Sequence, residues 1–487
     1  MNLISSRKWH TRAALAFVVA LLLLCSTTAL AFASTGAKKT LVRVSSDPFT
    51  NSSSQHKTQV EPDTYSNGST IVSAFQSGRF FDGGSSDNGW ATSTDNGKTW
   101  HNGFLPGTTV YATPPGKYDR ISDPAVSYDA KHNTWVISGL AIIGTSGAAV
   151  LVNQSTDGGL TWQNAVTVAT TNGFYDKDWI DCDDTASSPF YGNCYVEWDD
   201  ANAGDSVLMS TSSDGGNTWS APSHPANAFG LGGQPVVQPN GTVVVPFWGN
   251  GIQSFTSTNG GKSWGNLVTI SNITEHTVGG NMRAQDPLPS AEIDGAGKVY
   301  VAWQDCRFEN GCSANDIVYS TSSDGTHWSS LQHVPADPVG SGVDHFLPGI
   351  AVDKSTSGNN AHIAVTYYFF PNANCSSNCQ LEVGYLSSTN AGSTWSTSTK
   401  LAGPMNPTWL ANTNQGRMVG DYISTSILGN GNASTVFAVA KKNRGSKFNE
   451  SMRAPNGGLP VSGGTIAASS RVLYTGPALA PAHVTAY

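Results

Sequence analysis

The chain has 487 residues, with 26 Lys or Arg against 34 Asp or Glu and a formal net charge of -8. Only 12% of the residues are charged and 52 are glycine, without an extended helical or heptad period, so little of the chain is expected to be helical. The acidic balance also argues against nucleic acid as a partner.

The N-terminus has the pattern of a secretory signal peptide. Arg7, Lys8 and Arg12 precede an apolar run over residues 13–24, and small-x-small cleavage motifs follow at residues 29–33. The run is too short for a confident membrane span, and no other segment is apolar enough for stable membrane insertion. We therefore predict a signal peptide over residues 1–33 and a secreted mature chain of net charge -11, because 23 basic residues then face 34 acidic ones.

The next feature along the chain is a turn of about eight residues that occurs six times. Its Asp or Asn side chain is suited to accept backbone N–H bonds, its Gly to adopt positive φ, and its Trp to cover the apolar side. Asn259 and Asn390 replace Asp in two copies, and one copy is a residue shorter. The copies end at Trp100, Trp162, Trp219, Trp264, Trp328 and Trp395.

The segments around these turns predict repeated four-stranded antiparallel units. Before Trp328, residues 288–293, 298–303 and 316–321 have strand patterns, and the stretch after it can supply a fourth strand. After the sixth turn, residues 418–428, 434–440 and 471–475 predict a last unit that lacks its fourth strand. Residues 40–44 would supply that strand and close the structure.

The turn resembles the Asp-box, or BNR, motif S-x-D-x-G-x-T-W of the sialidase superfamily. The resemblance implies an all-β fold, a β-propeller of four-stranded antiparallel blades, which we predict to be one domain over residues 34–487. Counting the strand patterns gives seven blades closed by the N-terminal strand, with six, as in the sialidases, as the alternative.

Six cysteines remain after removal of the signal peptide. In an oxidising compartment they are expected to pair locally, as listed here: Cys182 with Cys194, Cys306 with Cys312, and Cys375 with Cys379. The rival reading of Cys375 and Cys379 as metal ligands lacks an accompanying His or second cysteine pair. We expect no metal and no cofactor.

Topology gathers a polar set of residues on the face opposite the six turns, where first strands start and second strands end. Trp303, Asp305 and Arg307 are the sharpest group, since an aromatic plane, a carboxylate and a planar donor suit a sugar. The alternative is a buried Trp with an Asp/Arg pair that holds a disulfide-tied loop. Further candidate binding residues on this face are Asp123, Asp344 and His345.

The resemblance also implies catalytic positions. Arg79 and Asp87 precede the first turn as the family's Arg and acid/base Asp do, with Asp305 as a second acid/base candidate. Tyr422 stands where a nucleophilic Tyr is expected, and Asp421 could take its proton. The candidate residues for a clamp on an anionic sugar are Arg120, Arg283, Arg307 and Arg417.

The chain departs from the family at Val60-Glu61-Pro62, which has no Arg, and at Gln234-Pro235, which offers no Glu. Two functions follow: an exo-acting glycoside hydrolase of sialidase type, or a propeller that binds a glycan or protein without turnover. In either case the expected partner is a glycan or glycoconjugate, and the protein is expected to be a monomer.

Overall fold

The computed structural model describes residues 40–479, which form antiparallel β-sheets joined by turns. These residues contain no α-helix, and none of their helices is long and apolar enough to cross a membrane. The all-β prediction is therefore confirmed. The helical turns are four short 3-10 segments: Ala201–Ala203, Asn310–Cys312, Gly358–Asn360 and Pro407–Trp409.

After the short strand β1 (Leu41–Arg43), the strands are described here as seven successive antiparallel units. Units 1 and 2 are joined into one eight-stranded sheet where Ser85 pairs with Ile121, and unit 3 has three strands rather than the predicted four. Unit 1 comprises β2 Gln55–Asn67, β3 Thr70–Arg79, β4 Ser85–Ser93 and β5 His101–Phe104. Unit 2 comprises β6 Arg120–Asp129, β7 Thr134–Ile143, β8 Ser146–Ser155 and β9 Val166–Thr170. Unit 3 comprises β10 Tyr175–Cys182, β11 Cys194–Asp200 and β12 Ser206–Ser212. Units 4 and 5 comprise β13 Val236–Val237, β14 Val243–Gly249, β15 Gly251–Ser257 and β16 Val268–Ser271; β17 Ser290–Ile293, β18 Val299–Asp305, β19 Asp316–Ser322 and β20 Gln332–His333.

Unit 6 comprises β21 Asp344–Val352, β22 Ile363–Phe370, β23 Leu381–Ser388 and β25 Thr399–Met405, with β24 Thr394–Trp395 between the last two. The hairpin of β26 Ala411–Thr413 and β27 Gly416–Met418 leads to unit 7, which comprises β28 Ser424–Ile427, β29 Asn432–Ala440 and β30 Glu450–Pro455. The short strands β31 Leu459–Pro460 and β32 Ile466–Ala467 pair with β29 and β24.

The N-terminal strand joins the last unit, as the sequence predicted, but beside a different strand. Val42 of β1 lies opposite Ala454 of β30. Residues 471–475 form no strand, because Leu473 and Tyr474 instead donate their backbone N–H groups to the carbonyl oxygen of Arg307. The predicted inner strand over 418–428 is also shorter, since Met418 belongs to the preceding hairpin.

The first strands of consecutive units pack against one another. Each contacts the first strand of the next unit, and β28 of unit 7 also contacts β2 of unit 1. Side chains reinforce these contacts: the hydroxyls of Thr64 and Ser424 are 3.0 Å apart, and the carboxylate of Asp63 accepts the Val126 N–H at 2.7 Å. The apolar core lies largely between neighbouring units, with Trp198 and Trp303 among its fully buried side chains.

The six repeated turns, here called box turns, share one hydrogen-bond pattern. In each, the Ser hydroxyl donates to the Asp or Asn side chain two residues later and accepts the N–H of a glycine. In the first turn Asp95 accepts from Thr99 N at 2.9 Å, and Gly97 has φ 77°. Although burial opposes the shift, hydrogen bonds from Thr99 and Ser93 lower the pKa of Asp95 to about 2.

The three expected disulfides are present. Cys182 and Cys194 lie opposite each other on the first two strands of unit 3, with Cα atoms 4.0 Å apart. The other two tie loops that follow second strands, Cys306–Cys312 in unit 5 and Cys375–Cys379 in unit 6. The pairing predicted from the sequence is confirmed.

Candidate functional site

The first strands of units 1, 2 and 3 each contain a β-bulge occupied by a charged residue. Glu61, Asp123 and Lys177 have φ of 59°, 45° and 52°, and the strand register shifts at each. Non-glycine residues are rarely held in this left-handed region, and bulges re-aim side chains. The three bulges therefore turn charged side chains toward one place, at the end of the units away from the box turns.

These side chains meet in a group that we call the mouth cluster, formed by Glu61, Asp123, Lys177, Arg283 and Asp421. Lys177 Nζ lies 3.8 Å from Glu61 Oε1 and 3.6 Å from Asp123 Oδ1, and it forms an ion pair with Asp421. Arg283 Nε donates to Asp421 Oδ1 at 2.7 Å. All are buried except Arg283, whose side chain is 17% exposed and faces solvent.

The carboxyl groups of the mouth cluster have pKa values shifted in opposite directions. Burial, with the nearby charges of Asp123 and Asp421, raises the pKa of Glu61 to about 8. Burial also acts on Asp421, but Arg283 and Lys177 overcome it and hold the pKa of that carboxyl well below its usual range. Glu61 therefore holds its proton to a higher pH than Asp421 does.

The hydroxyl of Tyr422 is already committed to the backbone. Tyr422 is 7% exposed, donates to the carbonyl oxygen of Pro124 at 3.1 Å, and packs edge-on against Trp179 with ring centroids 4.8 Å apart. Burial, followed by the charges of Glu61 and Asp123, raises the pKa of this phenol well above its usual value. This geometry does not favour Tyr422 as a nucleophile.

Three of the five candidate arginines lie near one another: Arg283 N donates to Arg417 O at 2.8 Å, and Arg79 Nε lies 3.1 Å from the sulfur of Met418. Their guanidinium groups nevertheless bond to different partners. Arg79 is buried and donates to the Gly84 carbonyl oxygen at 2.7 Å, and burial together with Arg283 lowers its pKa to about 10. Arg307 pairs with Asp305 at 2.7 Å. The remaining two are Arg120, 2.6 Å from Asp82, and Arg417, which donates to the Leu410 carbonyl oxygen at 3.2 Å. Across residues 40–479, no two of these arginines form ion pairs with one carboxylate.

The other candidates lie outside the mouth cluster. Trp303 is fully buried in the core of unit 5, and Asp305 accepts from the hydroxyl of Thr274 at 2.8 Å as well as from Arg307. The alternative of a buried Trp beside an Asp/Arg pair therefore describes this loop. Asp87 is fully buried and accepts from the Thr108 hydroxyl at 2.6 Å, and burial raises the pKa of Asp87 well above its usual value.

Asp344 and His345 each bond to other buried or neighbouring groups of the protein. Asp344 accepts the Asn315 N–H at 2.8 Å, while His345 Nε2 lies 3.0 Å from Asp337. Burial would lower the pKa of His345, but hydrogen bonds to Asp316 and Asp337 raise it to about 9. Both side chains are fully buried, so neither is presented to a ligand at the surface.

A group of mixed character lies around the loop that joins the second and third strands of unit 1: two residues come from that loop, one from the start of β6 and one from the end of β7. We call it the rim patch: Phe81, Asp82, Arg120 and Ile143. Phe81 is 50% exposed and Ile143 is 56% exposed. Arg120 stacks over the buried Phe80 ring, 4.3 Å from its centroid, while bonding Asp82. The exposed Phe81 thus adjoins in the chain a charged pair in which Asp82 is 47% exposed and Arg120 is 14% exposed.

Sequence reasoning placed Glu61 at a first-strand start on this face but missed Lys177 in the mouth cluster and Phe81 in the rim patch. Lys177 has no motif that separates it from an ordinary strand residue. Two of the three bulges could have been found from an acidic residue followed by proline, as in Glu61-Pro62 and Asp123-Pro124. Within residues 40–479, no group of three or more His, Cys, Asp or Glu side chains is arranged to hold a metal ion.

Comparisons with known proteins gave matches only among solved structures. No family model and no curated protein matches the chain. A Dyadobacter fermentans protein of unknown function is 16% identical, over 71% of this chain and 98% of its own, with a TM-score of 0.43. The Hadza microbial sialidase Hz136 is 16% identical over 64% of each chain, with a TM-score of 0.44. The NanB sialidase of Streptococcus pneumoniae is 13% identical over 86% of this chain and 70% of its own, with a TM-score of 0.43. Sialidases are thus among the solved proteins to which this chain is similar.

Proposed function

We propose that the seven units are the blades of one β-propeller over residues 34–487, exported behind a signal peptide over residues 1–33. The cyclic contacts between first strands and the pairing of β1 with β30 support a closed ring of seven rather than six. The signal peptide lies outside the described residues. The three disulfides support export, because such bonds persist in oxidising compartments.

The function that the geometry supports best is recognition of a glycan at the rim patch, by a sialidase-like propeller that acts as a monomer. The observation that carries it is the exposed Phe81 ring beside the Asp82–Arg120 pair. A sugar ring presents an apolar face and a girdle of hydroxyls, which an aromatic plane and a charged pair can engage together. The tyrosine-based sialidase mechanism is not favoured, since the Tyr422 hydroxyl already donates to the carbonyl oxygen of Pro124.

Binding to a panel of neutral and acidic oligosaccharides by calorimetry tests this function. We expect Phe81→Ala to weaken binding about tenfold, because aromatic contacts contribute up to about 1.5 kcal/mol beyond area burial. Arg120→Ala should weaken it as well. Phe229→Ala is the matched control, because Phe229 is also 50% exposed but lies outside the rim patch. Binding that all three variants leave unchanged would remove the rim patch as the site.

A second candidate, glycoside hydrolysis, is favoured by one observation: Glu61 and Asp421 are two carboxyl groups that share the Lys177 ammonium, and only Asp421 is also bonded by Arg283. Burial raises the pKa of Glu61, whereas Arg283 and Lys177 hold that of Asp421 low. Hydrolysis of a glycosidic bond uses one protonated carboxyl as the acid and one carboxylate facing the sugar. In this chain Glu61 would supply the proton and Asp421 the carboxylate. Fluorogenic glycosides, sialosides included, test this candidate: turnover should disappear in Glu61→Gln, and the candidate fails if the unaltered protein cleaves none.

A further inference from the structure

A concentration of unpaired positive charge lies on unit 7 and shares no residue with the mouth cluster or the rim patch. The loop between β29 and β30 carries four basic residues within seven positions, all exposed: Lys441, Lys442, Arg444 and Lys447. Arg444 N donates to Lys447 O at 2.9 Å and Lys447 N to Arg444 O at 3.2 Å. The loop is therefore a closed turn that presents its cations together.

Nothing in unit 7 neutralises this charge. Between residues 424 and 460 the sole acidic residue is Glu450, which is buried and accepts the Ala411 N–H at 2.8 Å. Within residues 40–479, none of the four loop cations takes part in an ion pair. In a chain with eight more acidic than basic residues, such a local excess is not accounted for by solubility alone.

A second feature points to an anion. Arg43 of β1 and Arg453 of β30 lie directly opposite each other in adjacent strands. Like charges in this position repel and destabilise a sheet. Arg453 has no acidic partner within residues 40–479, and burial together with Arg43 lowers its pKa. An anion held between the two arginines would turn the repulsion into attraction.

The two groups of cations lie along one strand. Lys441 N bonds to Asn449 O at the loop end of β30, and Arg453 stands four residues further on, about 13 Å away at a rise of about 3.3 Å per residue. We call the six residues the basic strip: Arg43, Lys441, Lys442, Arg444, Lys447 and Arg453. It is long and exposed at its loop end, a shape suited to a polymer that makes many weak contacts.

We propose that the basic strip binds an acidic polysaccharide, one that carries carboxylate or sulfate groups along its length. Unit 7 has no large hydrophobic side chain that is exposed between residues 424 and 460, so it offers no platform for stacking nucleic acid bases. The strip is separate from the rim patch, and its binding does not depend on glycan recognition there. It would hold the exported protein on an anionic matrix.

The test uses the mature protein with polygalacturonate and dextran sulfate as probes and neutral dextran as the blank. Lys441→Ser/Lys442→Ser/Lys447→Ser should weaken binding of both probes about tenfold or more at about 50 mM salt, and binding should fall steeply by about 200 mM. Lys98→Ser/Lys131→Ser/Lys262→Ser is the matched control, because these lysines are exposed outside unit 7 and the charge change is equal. The control should stay within about twofold of the unaltered protein.

Arg43→Gln distinguishes a ligand contact from a structural role. Loss of the facing charge should leave the melting temperature unchanged or higher while it weakens polysaccharide binding. Equal losses in the two triple-lysine variants would assign the binding to overall charge and overturn the proposal. The proposal is also overturned if the protein binds neither probe, or if single-stranded DNA binds more tightly than either probe. A lower melting temperature in Arg43→Gln with unchanged polysaccharide binding would overturn it as well.

Discussion

Closure of the last unit by β1 gives the sharpest stability prediction, which compares one chemical change at two positions of the same short segment. Val44 is fully buried and its N–H donates to Met452 O at 3.1 Å, whereas Val42 is only half-buried. Val44→Ala removes two methyl groups, about 1.6 kcal/mol of transfer free energy at about 0.8 per group. A residual cavity brings the loss to about 2 to 3 kcal/mol.

Val42→Ala makes the same chemical change with less burial, so we expect a loss of about 1 kcal/mol or less. Urea unfolding followed by tryptophan fluorescence measures both free energies. At roughly 440 residues the unfolding entropy is about 0.9 kcal/mol/K, so the melting temperature should fall by only about 3 °C, and urea is the better assay. A loss below about 1 kcal/mol in Val44→Ala, or equal losses in both variants, would refute closure by this strand.

Four further predictions concern the box turns, a disulfide, pH and Tyr422. Asp95→Ala should lower the free energy of unfolding by about 1 to 2 kcal/mol through lost N–H acceptance, and Asp95→Asn by less than about 0.5, because Asn259 makes the same bond to Ser263 N at 3.0 Å. Ser in place of both Cys182 and Cys194, which are 12 residues apart, should cost about 3 kcal/mol in urea unfolding. Burial raises the pKa of Glu61 from 4.5 to about 8 and that of Asp181 from 3.8 to about 7. The folded state therefore binds more protons than the unfolded state, and the free energy of unfolding should fall as the pH rises from about 4 to 8. Asp181→Asn should flatten that slope, and a rise in stability over the same range would contradict it. Tyr422→Phe should cost about 1 kcal/mol in stability and leave glycan affinity unchanged; complete loss of a measured hydrolytic activity would instead restore Tyr422 as a nucleophile.

Much of the fold could be predicted because its determinants are local. Each box turn is closed by side chains within about eight residues, as Ser93, Asp95 and Thr99 show, so the repeat survives in the sequence as a readable motif. Alternating apolar strands and closely spaced cysteines carry similar short-range signals, and all three cysteine pairs were identified correctly.

The third strand of unit 7 could not be found in this way. Residues 450–455 contain Glu450, Arg453 and Pro455 and have low intrinsic strand preference, whereas residues 471–475 have a strand-like pattern. Pairing of β30 with β29 and β1 decides the outcome, since a strand forms where its backbone groups find partners.

The candidate site depended even more on tertiary structure. The sequence by itself determined that acidic residues and arginines occur at the starts of first strands and the ends of second strands. Only the folded chain decided that Lys177 of unit 3 reaches Asp421 near unit 7, while Arg307 pairs with Asp305 in its own loop. The physical reason is that charges separated by 244 residues become partners through bulges and packing between units, which leave no short-range pattern in the sequence.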